Sequence, residues 1–521
     1  MKKRGHIIIV VIGLIVFSFT PCAISQTNLR IAGMQDAVSL DPHTATATDF
    51  YVLRNSYEPL AEYSLEKSKL IPLLAESWKQ IDSLTFQFKL RKGVKFSNGS
   101  KMDAESVKFS IEIERLRKLK KGSAWVANLI DQISIQDEYT ITFKISSNFP
   151  FLESLGLIYI VSPDAIAKNE KGGNSAQDWL NDGNSCGTGP YQLEGRIQGQ
   201  EVRFKRNPYY WGGWKPINFQ TVVIKAPVEP SVGRMMLEKG ELDILNNFSL
   251  DDLPAFLANK AIRVFESPSA EQYYLRFNCV TPPTNDPRVR EALSIIWDQE
   301  SWRAIKGKVL PSDGPTPAEL LGPGYKPKFK HEYNIEKAKE LLKKAGYEKG
   351  FTLNYLWDQG QDLKARFGEL FQAQAAKIGV QIKLEELSPS AFFEKWTSVK
   401  NRKTDPNNPH LVLLRSVPRI PDAYSFLYFM YHSNAFSGFG RNFFLYSNAK
   451  VDSYIEDAIK QVDSRKKYEL YREANDLIVK DYPDIFVEKS IYIVPMRAGL
   501  KGFEFRSDSA WSPFRFYELY Y

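Results

Sequence analysis

The sequence is short of the residues from which metal centres and active sites are usually built. Among 521 residues there are 3 cysteines and 5 histidines. Beyond the N-terminal segment, His43, His331, His410 and His432 stand far apart and no Cys-x-x-Cys occurs, so neither a metal nor any other cofactor is expected. Gly187-Thr188-Gly189 lacks the later glycine and the lysine of a phosphate-cradling loop, and Gly438-Phe439-Gly440 holds no nucleophile. The many carboxylates read as solvated surface acids rather than as a glycosidase pair. No catalytic constellation emerges, and the chain is read as a non-enzyme. An exported hydrolase stays open as a reading of another class, because triads assemble from distant positions.

Long apolar runs are equally scarce. One lies at residues 7–19, behind Lys2, Lys3 and Arg4 and ahead of Pro21, Ala23 and Ser25. A bilayer span takes about 20 residues, so this order predicts a secretory signal, cleaved after Ser25, rather than a retained anchor. Lipid attachment at Cys22 is not expected, because bulky Phe19 and Pro21 precede it. One-sided charge is missing too. The net +8 includes the three cations of the signal, and along 336–349 basic and acidic residues interleave. That pattern predicts a solvated surface and no nucleic-acid partner. Cys186 and Cys279 remain in a compartment where disulfides persist, as a possible disulfide or as two buried thiols.

Aromatic residues, by contrast, make up 13% of the chain, enough to furnish both cores and a ligand-gripping cleft. Period-two alternation predicts strands at 28–32, 85–90, 139–145, 191–193, 201–205 and 380–384. Helices are expected over 287–305, 335–345, 363–378, 451–462 and 464–481, with Gly346 and Gly379 placed to end two of them. Asp103 reads as a helix N-cap. Strands and helices mix without a repeat, so the class is α/β with several domains.

Eight segments in order then resemble one family. They are Ser39-Leu40-Asp41-Pro42, Tyr57-Glu58-Pro59-Leu60, Leu73 to Trp78, Phe86 to Gly99 with Asp103 to Val107, Gly187-Thr188-Gly189-Pro190-Tyr191, Arg206 to Gly213, Asn278 with Asp286 to Leu293, and Tyr446 to Asp452. This series resembles the extracytoplasmic solute-binding proteins of family 5, which serve peptide, opine and nickel importers. The resemblance implies a two-lobed, periplasmic-binding-protein-like fold (type II, cluster C-like) with a third domain inserted in the first lobe. By that analogy residues 1–25 are the signal, the first lobe comprises 26–68, 187–274 and 488–521, the inserted domain is 69–186, and the second lobe is 275–487, with hinges near Tyr274 and Val487. It also implies a monomer in the periplasm that hands a peptide or other small molecule to ABC permease subunits with cytoplasmic ATPases. Arg288 and Arg290 can anchor a carboxylate or neighbouring carbonyls, and a structural role is favoured.

The same resemblance points to ligand contacts. Peptide-binding relatives grip the ligand's amine with an aspartate in a stretch matching 415–426 here, and that aspartate becomes Arg419, with Arg415 and Asp422 nearby. An arginine repels an ammonium and presents a fork of donors to an acid. The expected ligand is therefore acidic or N-blocked, unless Asp422 takes over amine recognition. Asn246 and Asn247, Thr46 and Asp49 in the loop after the first strand, and Trp357 complete the candidate lining, with core packing an equal reading for Trp357. A non-peptide nutrient (a metal chelate, haem or a sugar derivative) remains an alternative, as does reuse of the fold as a chaperone or adhesin.

Overall fold

Ten strands form one continuous sheet, and two of them are long enough to run through both halves of the molecule. The structure, a computed structural model, describes residues 28–33, 36–45, 49–64, 69–117, 122–398, 409–436, 440–506 and 514–521. The expected signal, Thr46 and Gly438-Phe439 lie outside them. From one edge the strands are Val380–Leu387, Phe351–Asp358, Leu411–Ser416, Ile262–Phe277, Asp484–Arg497, Ile244–Leu245, Asn28–Ala32, Thr221–Lys225, Glu201–Arg206 and Tyr191–Ile197. Asn28–Ala32 pairs in parallel with strands on both sides, and Leu29, Ile31 and Ala32 are correspondingly fully buried.

The crossing strands Ile262–Phe277 and Asp484–Arg497 pair antiparallel, with irregular register between Pro268 and Gln272 and again between Tyr273 and Tyr274. At the second irregularity Tyr273 faces Glu488 and Tyr274 faces Phe486, so the ladder skips Val487. Such bulges bend and twist a strand pair locally. Alternation sorts the strand's end by face. Leu275 and Phe277 enter a core with Trp297, Trp302 and Phe367, whereas Tyr274 enters a core with Phe426, Tyr431 and Tyr471. On the latter face Arg276 Nε lies 2.9 Å from Asp484 Oδ1, both fully buried, and Tyr431 Oη donates to Asp484 Oδ2 at 2.7 Å.

A separate four-stranded antiparallel sheet (Ala75–Asp82, Thr85–Leu90, Thr140–Ile145, Ile130–Asp137) packs Phe86, Phe88 and Phe143 onto the helix Ala104–Leu116, and Phe96 joins the same core. Asp103 caps that helix by accepting from Ser106 N at 3.0 Å. Helices Ile335–Lys344, Asp362–Ala376 and Ser464–Asp481 follow the apolar periodicity, and Gly346 and Gly379 take the left-handed conformation beyond the first two. Among the described residues no helix is long and apolar enough to cross a membrane.

Two expectations are corrected. The helix read over 287–305 is two helices, Pro287–Ser294 and Gln299–Lys306, because Asp298 starts a new one by accepting from the Glu300 and Ser301 amides. The possible disulfide does not form: Cys186 and Cys279 are both free. They belong to different packing units. Cys186 is fully buried in the core around Tyr57, Tyr159 and Phe204, where burial pushes its thiol up to about 12. Cys279 packs on the Tyr274–Tyr431 core and its thiol faces the Phe277 carbonyl at 3.4 Å.

The shared segments turn out to be joinery. Buried Glu58 accepts from Thr188 Oγ1 at 2.8 Å and from Trp211 Nε1 at 2.9 Å, which ties three of them together. A Cβ on Gly187 would sit 2.2 Å from the Ser56 carbonyl oxygen, so only glycine lets these backbones meet. Arg290 donates to the carbonyls of Thr284, Asn285, Asp481 and Tyr482, and Arg288 pairs with Asp286 at 2.6 Å.

Candidate functional site: a cleft on the crossing strands

The two irregular crossing strands form the floor of a cleft of about 270 Å³. Ser269, Glu271 and Tyr273 point into it at period two, and Ser490 to Ile493 line it from the partner strand. One wall comes from the first half of the chain, where Asn246, Asn247 and Phe248 follow the short strand Ile244–Leu245. The opposite wall comes from the second half, where Lys306 ends the helix Gln299–Lys306, Lys308 follows it, and Arg415 projects from the strand Leu411–Ser416 beside Tyr273.

The polar groups are held in place by neighbours. Tyr492 Oη donates to Asn246 Oδ1 at 3.0 Å, and its ring stacks on Phe505 at 4.4 Å. Asn247 Nδ2 donates to the Val228 carbonyl at 3.0 Å, leaving its amide oxygen as an acceptor. Lys306 pairs with buried Glu488 and sits over the Tyr273 ring at 3.9 Å. Lys308 pairs with Glu266. Arg415, exposed over 37% of its side chain, pairs with Glu271 at 3.7 Å and hydrogen-bonds Tyr273. Glu271 itself accepts from Ser490 Oγ at 3.0 Å. Three cations and one lining carboxylate with aromatic walls can orient a zwitterionic or acidic molecule. A ligand carboxylate reaching Arg415 would exchange one oxyanion partner for another rather than strip a bare charge of water.

Of the residues expected from sequence, the structure brings Asn246, Asn247 and Arg415 together here. Asp49 is fully buried and accepts from the amides of Val38 and Ser39, so it staples its own loop. Trp357 lies within the strand Phe351–Asp358, stacked on Tyr355 at 5.8 Å against the second-half core. Asp422 is buried, with its carboxylate 2.7 Å from Lys467 Nζ, and does not line this cleft. Arg419 continues the loop beyond Arg415, half-buried over the Phe429 ring at 5.2 Å; burial and then nearby Arg441 lower its guanidinium to about 9. Lys306, Lys308, Glu271 and Tyr492 were not anticipated. Two lysines at a helix end look like solvated surface in sequence, and only the Ser269-Glu271-Tyr273 spacing marks a shared face.

The family model described as "Bacterial extracellular solute-binding proteins, family 5 Middle" matches residues 69–438. The probable D,D-dipeptide-binding periplasmic protein DdpA of Escherichia coli strain K12 is 27% identical over 500 residues, 94% of this chain and 93% of that protein. Among solved structures, the periplasmic binding protein DppA of Helicobacter pylori in complex with the peptide STSA matches with a TM-score of 0.78 at 24% identity, covering 95% of this chain and 98% of that one. NikZ of Campylobacter jejuni in complex with Ni(L-His) matches with a TM-score of 0.78 at 22% identity, over 96% and 100% of the two chains. One architecture thus accommodates a peptide and a metal chelate, so framework and ligand choice are separate matters.

Proposed function

The chain belongs to the bacterial extracellular solute-binding proteins of family 5, and from that premise we propose that it is the binding component of an ABC importer that captures an acidic or N-blocked peptide-like molecule outside the cytoplasmic membrane and delivers it to the permease. The observation that carries the reading is the cleft itself, whose floor is the two crossing strands and whose walls come from opposite halves of the chain. A ligand touching both walls favours the closed arrangement by contacts that the open one lacks. The register breaks at Tyr274 and Val487 supply the hinge, and the lobes divide there: 26–68, 187–274 and 488–521 on one side, 275–487 on the other, with 69–186 inserted.

The preference for an acid or a blocked end follows from the loop beyond Arg415. A guanidinium, Arg419, stands where relatives carry the amine-gripping carboxylate, and Asp422 is neutralised by Lys467. Captured peptides are released intact, a reading supported by the binding proteins that this chain resembles. Isothermal titration calorimetry with trialanine, N-acetyl-trialanine and N-succinyl-trialanine tests this. The succinylated peptide is expected to bind tightest, and Arg415→Ala to weaken it about tenfold through loss of a charged hydrogen-bond donor. Tightest binding by the free peptide, unaffected by Arg419→Ala, would overturn the charge preference.

A further inference from the structure

A second cavity, of about 250 Å³, lies in the second half of the chain and shares no lining residue with the cleft. Its walls are the end of the helix Pro287–Ser294, the segment 328–332, the end of the helix Ser464–Asp481 and the first residues of the crossing strand Asp484–Arg497. That strand therefore lines both cavities, this one with residues 484–486 and the cleft with 490–493, on either side of the skipped Val487. The interior is apolar. Ile295, Val479 and Ile485 meet Phe329 and Phe486, whose rings stand edge to face at 5.1 Å. Such a recess takes a ring or a short chain of hydrocarbon.

The charges of the lining cancel except for one. Lys328 pairs with Asp476, and Glu332 with Lys337 at 3.0 Å. Asp484 is held by Arg276 and Tyr431. His331 donates from Nε2 to the Trp297 carbonyl, and burial lowers its pKa, so it is uncharged at neutral pH. Lys330 remains, exposed and paired with no carboxylate among the described residues. Ser294 Oγ, buried and without a hydrogen-bond partner among the described residues, adds a donor to the wall. A bare anion would leave the aromatic recess unused, and a plain hydrocarbon would leave the cation unpaired. An anion with an apolar tail uses both.

We propose that this cavity is a second ligand site, for a small carboxylate with an apolar tail, backed by the strand that also floors the cleft. The carboxylate meets Lys330 at the mouth, and the tail packs among Phe329, Phe486 and Val479. The site stands on its own lining and charge and does not depend on the peptide reading above.

Isothermal titration calorimetry with 4-phenylbutyrate tests it, with 4-phenylbutyramide as the neutral counterpart and acetate as the acid without a tail. The phenyl acid is expected to bind at one site, and the amide and acetate about tenfold or more weakly, the scale of a lost charged hydrogen bond or an unburied ring. Lys330→Glu should weaken the phenyl acid about tenfold and leave the amide unchanged. Val479→Phe, which fills the cavity, should abolish binding, and Arg415→Ala in the cleft should leave it intact. Melting curves verify folding; if Val479→Phe does not fold, Lys330→Glu, at an exposed position, decides. No binding of 4-phenylbutyrate, equal binding of acid and amide, or binding lost through Arg415→Ala but not through Lys330→Glu would overturn the proposal, the last by placing the molecule in the cleft.

Discussion

The joint around Glu58 and the cleft around Arg415 are both polar, yet they are built on opposite terms. At the joint a buried carboxylate takes two short hydrogen bonds from Thr188 and Trp211, and glycine packs against backbone with no room for a methyl group. In the cleft, Arg415 is 37% exposed and its carboxylate partner stands 3.7 Å away. The joint is satisfied before any ligand arrives, so its residues answer to the fold. The cleft keeps its pairs open to solvent, so under the proposed function its residues answer to the solute. The solved structures of similar fold hold molecules as unlike as a peptide and a nickel chelate.

The comparison predicts a graded response to substitution. The largest effect is expected at the fully buried Arg276–Asp484 pair, which like the joint is complete without ligand. Asp484→Ala strands a guanidinium and leaves Tyr431 Oη without its acceptor, costing about 3–5 kcal/mol of stability by chemical denaturation.

Next comes pH. Burial pushes Glu58 and Glu114 from an ordinary value of 4.5 up to about 7. Between those limits the folded state binds more protons than the unfolded one, so the stability these groups contribute falls as pH rises from about 4.5 to about 7. Glu62 runs the other way: burial opposes ionisation, but Arg515 and Arg54 outweigh it and hold the carboxyl down to about 2. Its contribution is lost as pH falls from 4.5 towards 2. Melting temperatures measured from pH 4 to 8 should decline across the upper window, and Glu58→Gln should flatten part of that decline.

The smallest effect is expected at Arg288, whose side chain is half exposed, pairs with Asp286 two residues away and donates to the Lys344 carbonyl at 2.8 Å. Arg288→Ala should leave the melting curve and the peptide affinity nearly unchanged, because exposed ion pairs contribute little.

The joint was far more legible in sequence than the cleft. Its parts are motifs, Tyr57-Glu58-Pro59-Leu60 and Gly187-Thr188-Gly189 among them, because a glycine that must admit a carbonyl leaves a local mark. Period-two alternation likewise located Asn28–Ala32 and Thr85–Leu90 to the residue. The cleft left weaker traces. Asn246, Asn247 and Arg415 were found through family resemblance, while Lys306 and Lys308 were indistinguishable from surface lysines until the helix carrying them docked beside Tyr273. Cys186 and Cys279 show the same limit from the other side, since two lone thiols in a chain say nothing of the distance between them.

By itself, the sequence determined the class of fold, the order of its elements, the export signal expected at the N-terminus and the absence of any motif for catalysis. These follow from periodicity, composition and local turn chemistry, which act over a few residues. Only the tertiary structure decided which charges meet, Lys467 with Asp422 and Glu153 and Arg276 with Asp484, and which residues of the two halves line one cleft. Such pairings join residues separated by up to a few hundred positions, and their strength depends on burial, which exists only once the chain has folded.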